Sequence, residues 1–591
     1  MARIWLLMLL AVVLGGCLRS ASLPRVVVLG LDGCDPILLE QFMAEGHLPN
    51  FSRLRARGAM STLGTSNPPQ SPVAWANMVT GLDSGGHGLF DFLHRDPRSL
   101  APITSMSSVV GGKARQERRG QPFWEVLTAA GIPCTLLRAP CHYPAPERGA
   151  RSLTGLGTPD LLGGYGSYTV YSEGPYRELR GGQFVKLEVS SQNTVEAQLI
   201  GPQERGVPMS LALDRSAGQL LIRLDEHRTL LKVGEWSPWI NVDFEGVGGI
   251  VRFCLASLKP LTLYASPLNV DPARPALPIS TPPSYAPHLS RCCGSFYTQA
   301  MAEETKALDS GILDDRQYLE QSRIVLAENR ALLQQGLKEF DRGLLFFYVS
   351  HLDLQSHVFW GNREVLLQAY QDVDQLLGDV LQGLDADTTL WVLSDHGFAS
   401  FGRVVDLNSW LAEQGYLALA HDSGMESIDW SHTRAYALGF NGVYLNLSGR
   451  ESQGVVSQGE RERLLDELSS KLQALADPKS GQRAVHKVYR SSQLYHGDLQ
   501  RAPDLVVGYR RDFRVSWESA LGGRRSQVFE ANRSHWCGDH LIDPSLVPGV
   551  LLCSRKFAAG NARLTDLAPT LIRQFDLTPP PEMVGRNLLE D

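Results

Sequence analysis

Three short apolar runs of this chain are each followed by an acidic or histidine residue, and this feature constrains the fold more than any other. The runs span residues 25–31, 343–350 and 388–394; Asp32 follows the first, a histidine the second and Asp395 the third. A continuous apolar run of this length is typical of a strand buried on both faces of a parallel sheet. Because ligand-binding groups in such sheets lie at the carboxyl ends of the strands, the sequence predicts an α/β protein with a functional edge.

The segments between these runs show the alternation of helix and strand that such a sheet requires. Apolar residues recur at helical spacing, and glycine ends several of the helical patterns. We expect helices over residues 50–58, 123–131, 299–333 and 364–381, with further strands over residues 59–63 and 132–138.

A β-rich segment interrupts this pattern. From residue 166, short runs alternate apolar and polar residues between glycine-containing turns, until a proline-rich stretch at residues 271–287 leads back to the core. We therefore divide the chain into a signal segment, a first part of the core, a β-rich insertion or cap, and a second part of the core, over residues 1–17, 18–165, 166–284 and 285–591.

The N-terminus has the pattern of an export signal. Arg3 is followed by an apolar run over residues 4–14 and then by Gly15, Gly16 and Cys17. The run is too short to span a bilayer. The segment resembles a bacterial lipobox, in which Cys17 would be lipidated, although an ordinary signal peptide that contains a cysteine is the alternative. We expect an exported protein, anchored by lipid to the bacterial cell envelope on its periplasmic or extracellular face.

Composition excludes some classes of function. The chain has 591 residues, a net charge of -7 and no Lys/Arg-rich run, so we expect no binding of nucleic acid beyond a nucleotide substrate. The cysteines after Cys17 form no CxxC pair and no zinc-ribbon spacing, and the sequence leaves their pairing open.

The stretch around Ser71 supplies a candidate nucleophile. Pro72 follows Ser71, and an apolar run then extends to Gly81, so Ser71 is predicted as the N-cap of a helix with Pro72 in its first position. The unpaired N–H groups and the dipole of a helix N-terminus favour a bound phosphate. Serine is also a preferred cap, so a purely structural role is the alternative; a serine nucleophile needs a base or a metal to remove its proton.

Carboxylates and histidines elsewhere in the chain have the chemistry of metal ligands. Asp353 and His357 are four residues apart, so a helical turn would place both on one face, within reach of one ion. Asp395 and His396 are adjacent, and His540 lies near the C-terminus. Each of these alone is more often a structural residue, so their value lies in the combination.

In combination, these motifs resemble those of the alkaline phosphatase superfamily, and most of all its type I phosphodiesterase/nucleotide pyrophosphatase branch. The resemblance covers residues 25–166 and 287–589. It implies an αβα sandwich with a mainly parallel central sheet, and a metal-dependent hydrolase of phosphate esters. The motifs, in chain order, are Leu31-Asp32-Gly33, Ser71 nine residues before Thr80-Gly81, His87-Gly88, Asp353 with His357, Ser394-Asp395-His396-Gly397 and Gly538-Asp539-His540.

The resemblance also implies a catalytic centre with two divalent metal ions. Imidazole and carboxylate ligands suit zinc, with iron and manganese as alternatives. The nucleophile would attack phosphorus in line and form a phosphoseryl intermediate that water then hydrolyses. The first metal would be bound by Asp353, His357 and His540, and the second by Asp32, Asp395, His396 and the nucleophile Ser71.

Two departures from the family pattern bear on the substrate. Nucleotide pyrophosphatases usually carry threonine as the nucleophile, and an asparagine shortly after the His-Gly motif, whereas this chain has Ser71 and then Asp91 and Arg95 in that region. We take Asp91 and Arg95 as candidate substrate-binding residues; Arg95 can clamp a phosphate dianion or can be a surface residue. The residues after Ser71 lack the x-Pro-x-Arg pattern of sulfatases.

Other functions remain compatible with the same residues. A phosphoryl transferase or a mutase would use the same centre, although the transferases normally carry several membrane helices. A non-catalytic surface lipoprotein whose insertion binds a glycan or a partner is the alternative from another class. The sequence leaves open the choice between monoester and diester, the metals and the role of residues 166–284.

Overall fold

The computed structural model describes residues 23–422 and 425–589. The predicted signal segment and Cys17 lie outside the described residues, so export and lipidation stay predictions. None of the helices in the described part is both long and apolar enough to cross a membrane. The cysteines of this part are all free thiols.

An eight-stranded sheet forms the centre of the molecule. Its strands, in chain order, are β1 (Arg25–Leu31), β2 (Ala59–Leu63), β3 (Cys134–Ala139), β4 (Arg151–Thr154), β5 (Ser280–Thr281), β6 (Gly343–Val349), β7 (Thr389–Leu393) and β8 (Gly549–Cys553). Their spatial order is β2-β8-β7-β1-β6-β3-β4-β5. The five strands from β7 to β4 are parallel to one another, whereas β8 runs antiparallel to β2 and β7, and β5 antiparallel to β4.

After Arg25, strand β1 is apolar and buried because helices cover both faces of the sheet. Val27 and Leu29 belong to one hydrophobic cluster, whereas Val26 and Val28 belong to another on the opposite face. The first cluster includes the helices Pro36–Ala44, Pro49–Arg57, Asp315–Glu339 and Arg363–Gly383. The second includes the helices Ser71–Thr80, Phe123–Ala129 and Leu567–Arg573. The predicted αβα sandwich with a mainly parallel sheet is therefore confirmed.

The predicted helix over residues 299–333 is wrong at its start. The long helix begins at Asp315 and ends at Glu339, and only a short helix, Thr305–Asp309, precedes it. Asp314 caps the long helix: its side chain accepts a hydrogen bond from the Gln317 N–H, and the Gln317 side chain accepts one from the Asp314 N–H. This capping box fixes the start of the helix, so the apolar spacing upstream of Asp315 does not extend it.

Most of the segment predicted as a β-rich insertion, residues 166–284, forms three small sheets, but β5 near its end belongs to the central sheet. One contains Tyr168–Ser172, Gly182–Lys186, Phe253–Leu258 and Leu261–Ala265. The second is antiparallel and contains Thr194–Ile200, Gly206–Asp214, Gln219–Leu224 and His227–Lys232. The third contains Ile240–Phe244, Val247–Val251 and Asn269–Val270.

Residues 399–547 form a further region with a hydrophobic cluster of its own, which the sequence does not distinguish from the core. Its sheets contain Ala435–Ala437, Gly442–Leu445, Val485–Arg490 and Leu505–Tyr509, and Ala399–Val405, Asp512–Val515, Phe529–Ala531 and Gly538–Asp539. The helices Leu407–Glu413 and Gln458–Ala474 pack on it. The region lies between β7 and β8 in the chain and therefore borders the functional edge.

Candidate active site

The carboxyl edge of the central sheet brings the predicted ligands together. Asp32 directly follows β1, and Asp395 comes two residues after the end of β7. Asp353 lies in the helix His351–Phe359, which follows β6. Because β7, β1 and β6 are adjacent and parallel, the three carboxylates converge on one buried region.

One group of ligand-type atoms surrounds the His396 imidazole. His396 Nε2 lies 3.4 Å from Asp32 Oδ1 and 3.3 Å from an oxygen of Asp395. The Ser71 hydroxyl lies 3.2 Å from the same nitrogen and 3.5 Å from Asp32 Oδ1. The side chains of Asp32, Asp395 and His396 each offer a ligand atom within 4.8 Å of the others, which is a spacing that one metal ion can bridge.

A second group surrounds Asp353. Asp353 Oδ1 lies 3.4 Å from His357 Nε2 and 3.7 Å from His540 Nε2. The His540 ring stacks on the His396 ring with 3.5 Å between centroids, so the two groups are neighbours. Asp353, His396 and His540 also lie within bridging distance of one another, as do His357, Asp539 and His540.

The Ser71 hydroxyl lies at the start of the helix Ser71–Thr80, one position later than predicted. Gln70 is the N-cap, and Ser71 is the first helical residue. The Gln70 side chain makes no capping bond; it donates to Asp91 and accepts from the Phe92 N–H instead. The Ser71 hydroxyl also makes no capping bond and points to Asp32 and His396, which is the orientation that a nucleophile needs.

Two aromatic residues that the sequence did not indicate hold Asp32 in place. Trp75 Nε1 donates to Asp32 Oδ2 at 3.0 Å, and the Tyr348 hydroxyl donates to the same oxygen at 2.6 Å. Both side chains are buried and pack against each other edge to face. With Oδ2 engaged in this way, Asp32 Oδ1 faces Ser71 and His396.

Backbone carbonyls orient two of the histidines. His357 Nδ1 lies 2.9 Å from the Gly538 carbonyl oxygen, and His540 Nδ1 lies 2.6 Å from that of Pro69. A hydrogen bond from Nδ1–H to a carbonyl leaves Nε2 as the nitrogen with a free lone pair. In both residues this nitrogen faces Asp353.

Burial shifts the protonation of these groups toward their neutral forms. Burial, with the nearby Asp353 carboxylate, raises the pKa of Asp32 to about 6, and burial raises the pKa of Asp353 to about 7. Burial and the Asp32 carboxylate raise the pKa of Asp395 well above its ordinary value. Burial also lowers the pKa of His357 to about 4 and lowers the pKa values of His396 and His540.

The donor set fits divalent cations. The buried oxygens Asp353 Oδ1 and Asp395 Oδ2 have no hydrogen-bond partner within the described part of the chain. Buried carboxylates without partners are costly unless a cation or a proton compensates them. Neutral imidazoles beside carboxylates are the ligands that zinc and related ions prefer.

Asp91 and Arg95, the candidate substrate-binding residues, have other partners. Arg95 Nε pairs with Glu451 at 2.7 Å, and the side chains of both residues are 0% exposed. The Arg95 guanidinium also lies over the Tyr444 ring, 4.7 Å from its centroid. Asp91 accepts hydrogen bonds from the Gln70 side chain and from the Phe440 N–H. The structure thus uses Arg95 in a buried ion pair and Asp91 in positioning the residue before Ser71.

Asp539 and its partners form a layer behind His540 that sequence reasoning missed. Asp539 accepts from Trp536 Nε1 at 2.7 Å and pairs with Arg514 at 2.6 Å. The Trp536 ring also stacks on His357 with 3.6 Å between centroids. The sequence placed Asp539 in a motif. Trp536 lies only three residues before it, whereas Arg514 is distant in the chain and shares no pattern with it.

A mainly parallel sheet with a hydroxyl, carboxylates and imidazoles at its carboxyl edge defines an alkaline phosphatase-like protein. A family model described as type I phosphodiesterase/nucleotide pyrophosphatase matches residues 26–178 and 279–530, more than half of the chain. The chain belongs to this family of phosphoester hydrolases. The match leaves residues 179–278 between its two segments.

One of the similar solved structures shares the fold at a TM-score of 0.50. Phosphonoacetate hydrolase from Sinorhizobium meliloti 1021, in complex with phosphonoacetate, has a TM-score of 0.50 at 12% identity and covers 94% of this chain and 96% of its own. Murine ectonucleotide pyrophosphatase/phosphodiesterase 5, an inactive variant in complex with AMP, has a TM-score of 0.43 at 12% identity with the same coverage. A search of curated proteins gave no match.

Proposed function

We propose that this protein hydrolyses phosphate esters through Ser71 as the nucleophile at a centre of two divalent metal ions. The observation that carries the proposal is the position of the Ser71 hydroxyl, 3.2 Å from His396 Nε2 in a buried cluster of carboxylates and imidazoles. Membership of a phosphoester hydrolase family supports the same reaction.

The proposed metal ligands form two sets, one around His396 and one around Asp353. Asp32, Asp395 and His396, with the Ser71 oxygen, would hold one ion, and Asp353, His357 and His540 would hold the other. When bound, such ions supply Lewis acidity, which favours the deprotonated form of a coordinated hydroxyl and offsets the charge of a phosphate ester. Zinc is the proposed metal on ligand type.

Ser71 would carry out two successive displacements at phosphorus. In the first, the Ser71 oxygen bonds to phosphorus, the ester P–O bond breaks, and the leaving alkoxide takes up a proton to become the alcohol. In the second, water bonds to phosphorus, the bond to the Ser71 oxygen breaks, and the serine hydroxyl is restored. The fixed orientation of Ser71, Asp32 and the histidines prepares the site for both steps.

The test combines metal content with turnover. The protein from Leu18 onward is assayed for bound metal and for hydrolysis of an aryl phosphate monoester and the matching diester, each repeated with Ser71→Ala. We expect two metal ions per chain and, for the preferred ester, loss of activity by at least about 10³-fold in Ser71→Ala, because the nucleophile is gone. Treatment with a chelator should abolish the same activity.

Ser491→Ala is the matched control. Ser491 is also the first residue of a helix and is buried, but it lies in the helix Ser491–Leu494, away from the cluster. We expect its activity to equal that of the unmodified protein. Full activity in Ser71→Ala would disprove the nucleophile, and a metal-loaded protein that transfers phosphoryl groups but hydrolyses neither ester would favour a transferase.

A further inference from the structure

A basic cavity of about 760 Å³ opens beside the candidate active site. It lies between the strand Ala399–Val405, the segment from Arg514 to Trp517 and the loop around Arg533, and Arg180 reaches it from the β-rich segment. The cations that line it are Arg180, Arg403, Lys479, Arg514, Arg525 and Arg533, against the acids Asp477 and Glu530. This excess of positive charge contrasts with the chain's net charge of -7.

Only part of this positive charge is neutralised by ion pairs. Arg403 pairs with Asp477 at 2.7 Å, and Arg525 pairs with Glu530 at 2.6 Å. Arg180 and Arg533 make no ion pair with any residue in the described ranges. Glu518 also pairs with Arg525 at 2.7 Å, and the Asp309 and Glu518 carboxylates interact with Arg180 without forming an ion pair with it. The protein therefore balances the positive charge of the cavity only in part, and the cavity favours an anionic ligand.

An aromatic ring separates two of the guanidinium groups. The Arg180 guanidinium lies 4.1 Å from the centroid of the Trp517 ring, and that of Arg514 lies 4.4 Å from it. Stacking on Trp517 holds both groups in fixed positions at little cost in side-chain entropy. Arg514 is 1% exposed, and its Nη2 has no hydrogen-bond partner among the residues that the structure describes. A buried donor without a partner in a cavity wall indicates a ligand that accepts from it.

The cavity is connected to the candidate active site by one ion pair. Arg514 pairs with Asp539, which directly precedes the proposed metal ligand His540. Trp517, which lines the cavity, contacts Trp536 edge to face, and Trp536 stacks on His357. A ligand could thus place one group at the cluster and a second in the cavity. Arg180 lies in residues 179–278, between the two segments that match the family, whereas Arg514 and Trp517 lie within the second matched segment.

We propose that the basic cavity binds a second anionic group of the substrate, a phosphate, sulfate or carboxylate remote from the ester that is cleaved. This rests on the proposed phosphoester hydrolase function, whose failure the experiment distinguishes. Arg180 and Arg514 would donate to the anion, and Trp517 would keep the two guanidinium groups apart and oriented toward it.

The experiment compares the full chain with its metals, Arg180→Gln and the control Arg177→Gln. Arg177 is an exposed arginine three residues earlier that lines a different cavity. Binding of inorganic tripolyphosphate is measured by calorimetry at two salt concentrations. Tripolyphosphate can also bind at the metals, but this site is the same in all three proteins. A difference in affinity between the two variants therefore measures binding in the basic cavity. We expect Arg180→Gln to weaken binding about tenfold, as for the loss of a charged hydrogen bond, and Arg177→Gln to leave it unchanged.

A kinetic comparison then tests whether the anion belongs to the substrate. We measure kcat/KM for an aryl phosphate ester that carries a remote carboxylate, for one that carries a remote sulfate, and for their uncharged isostere. The ratio of kcat/KM for the charged ester to kcat/KM for the uncharged ester should fall about tenfold in Arg180→Gln and stay constant in Arg177→Gln. An unchanged ratio in Arg180→Gln, or equal loss of tripolyphosphate binding in both variants, would overturn the proposal. If no ester is cleaved by any protein, the hydrolase function fails, and loss of binding in Arg180→Gln alone still supports an anion site.

Discussion

At the scale of the residue, the three carboxylates of the candidate active site lie at the carboxyl edge of the central sheet and converge on one buried region. Asp32, Asp353 and Asp395 were predictable because each follows an apolar run, and parallel strands bring their carboxyl ends together. Trp75 and Tyr348, which donate to Asp32, could not be predicted as part of the site, because both lie in apolar segments whose aromatic residues usually belong to the core. Only the three-dimensional packing shows that their polar atoms face a carboxylate.

Arg95 occupies an environment that neither sequence-based interpretation, a phosphate clamp or a surface residue, described. Its guanidinium is fully buried against Glu451 and the Tyr444 ring, and Glu451 also pairs with Arg450 at 2.7 Å. We therefore expect Arg95→Met to lower the free energy of unfolding by about 1.5–3 kcal/mol, because Glu451 loses one of its two charged partners inside the protein and keeps Arg450. Urea unfolding measures this loss, and kcat/KM of the folded fraction should remain that of the unmodified protein.

Arg98→Met is the control for Arg95→Met, since Arg98 is exposed and three residues away. Its effect on stability should stay within about 0.5 kcal/mol. A stable Arg95→Met protein with a strongly raised KM would instead show that Arg95 binds substrate, as a clamp for the phosphate would.

At the scale of the element, five of the eight strands of the central sheet were predicted within about two residues, whereas β4, β5, β8 and one helix start were not. The run predicted at 343–350 is β6 and the run at 388–394 is β7, because continuous apolar runs have few other stable environments. The helix predicted from residue 299 begins only at Asp315, where Asp314 and Gln317 form the capping box. Spacing alone cannot separate a helix from the irregular apolar segment before it.

The tip of β1 shows how closely two elements approach at the candidate site. Gly33 has φ +69°, and a Cβ atom there would lie 2.6 Å from the Asp353 Cα atom. We expect Gly33→Ala to force the helix His351–Phe359 away from β1, which separates Asp353 from Asp32. The variant should bind less metal and lose activity, and its stability should fall by about 2 kcal/mol more than a left-handed conformation alone would cost.

Gly46→Ala is the control that separates the cost of the steric clash from the cost of a left-handed backbone conformation. Gly46 has φ +83°, but a Cβ atom there would meet nothing within 4 Å. We expect a loss of about 1 kcal/mol from backbone strain, with normal metal content by elemental analysis. If both variants lost equal stability and both kept their metals, the close approach at Gly33 would not matter for the site.

At the scale of the whole molecule, the sequence predicted that the β-rich segment consists of strands, but not that these strands pack against the central sheet. Its strands contribute Leu211 and Phe253 to the same hydrophobic cluster that contains Leu29 of β1. Long-range docking of this kind leaves no local signal, because the contacting residues are far apart in sequence. The region at residues 399–547 was missed for the same reason: its strands resemble those of the core until their pairing is known.

Glu328 connects the β-rich segment to the helix Asp315–Glu339 and provides a test of how firmly the two are joined. Its carboxylate accepts from Trp239 Nε1 at 2.8 Å, pairs with Arg252 at 2.6 Å and accepts from the Tyr297 N–H at 2.8 Å. Glu328→Ala would leave Arg252 without its partner in a largely buried position, at a cost of about 3 kcal/mol. Hydrogen exchange measured by mass spectrometry should then accelerate in residues 194–270 more than in β1 and β6, because local opening of the β-rich segment becomes easier than global unfolding.

Glu320→Ala is the control, since Glu320 lies on the same helix but is 56% exposed and pairs only weakly, at 3.8 Å, with Arg323 of its own helix. Equal acceleration throughout the molecule in Glu328→Ala would mean that the β-rich segment and the central sheet open as one cooperative unit, and that Glu328 stabilises the whole protein rather than one interface.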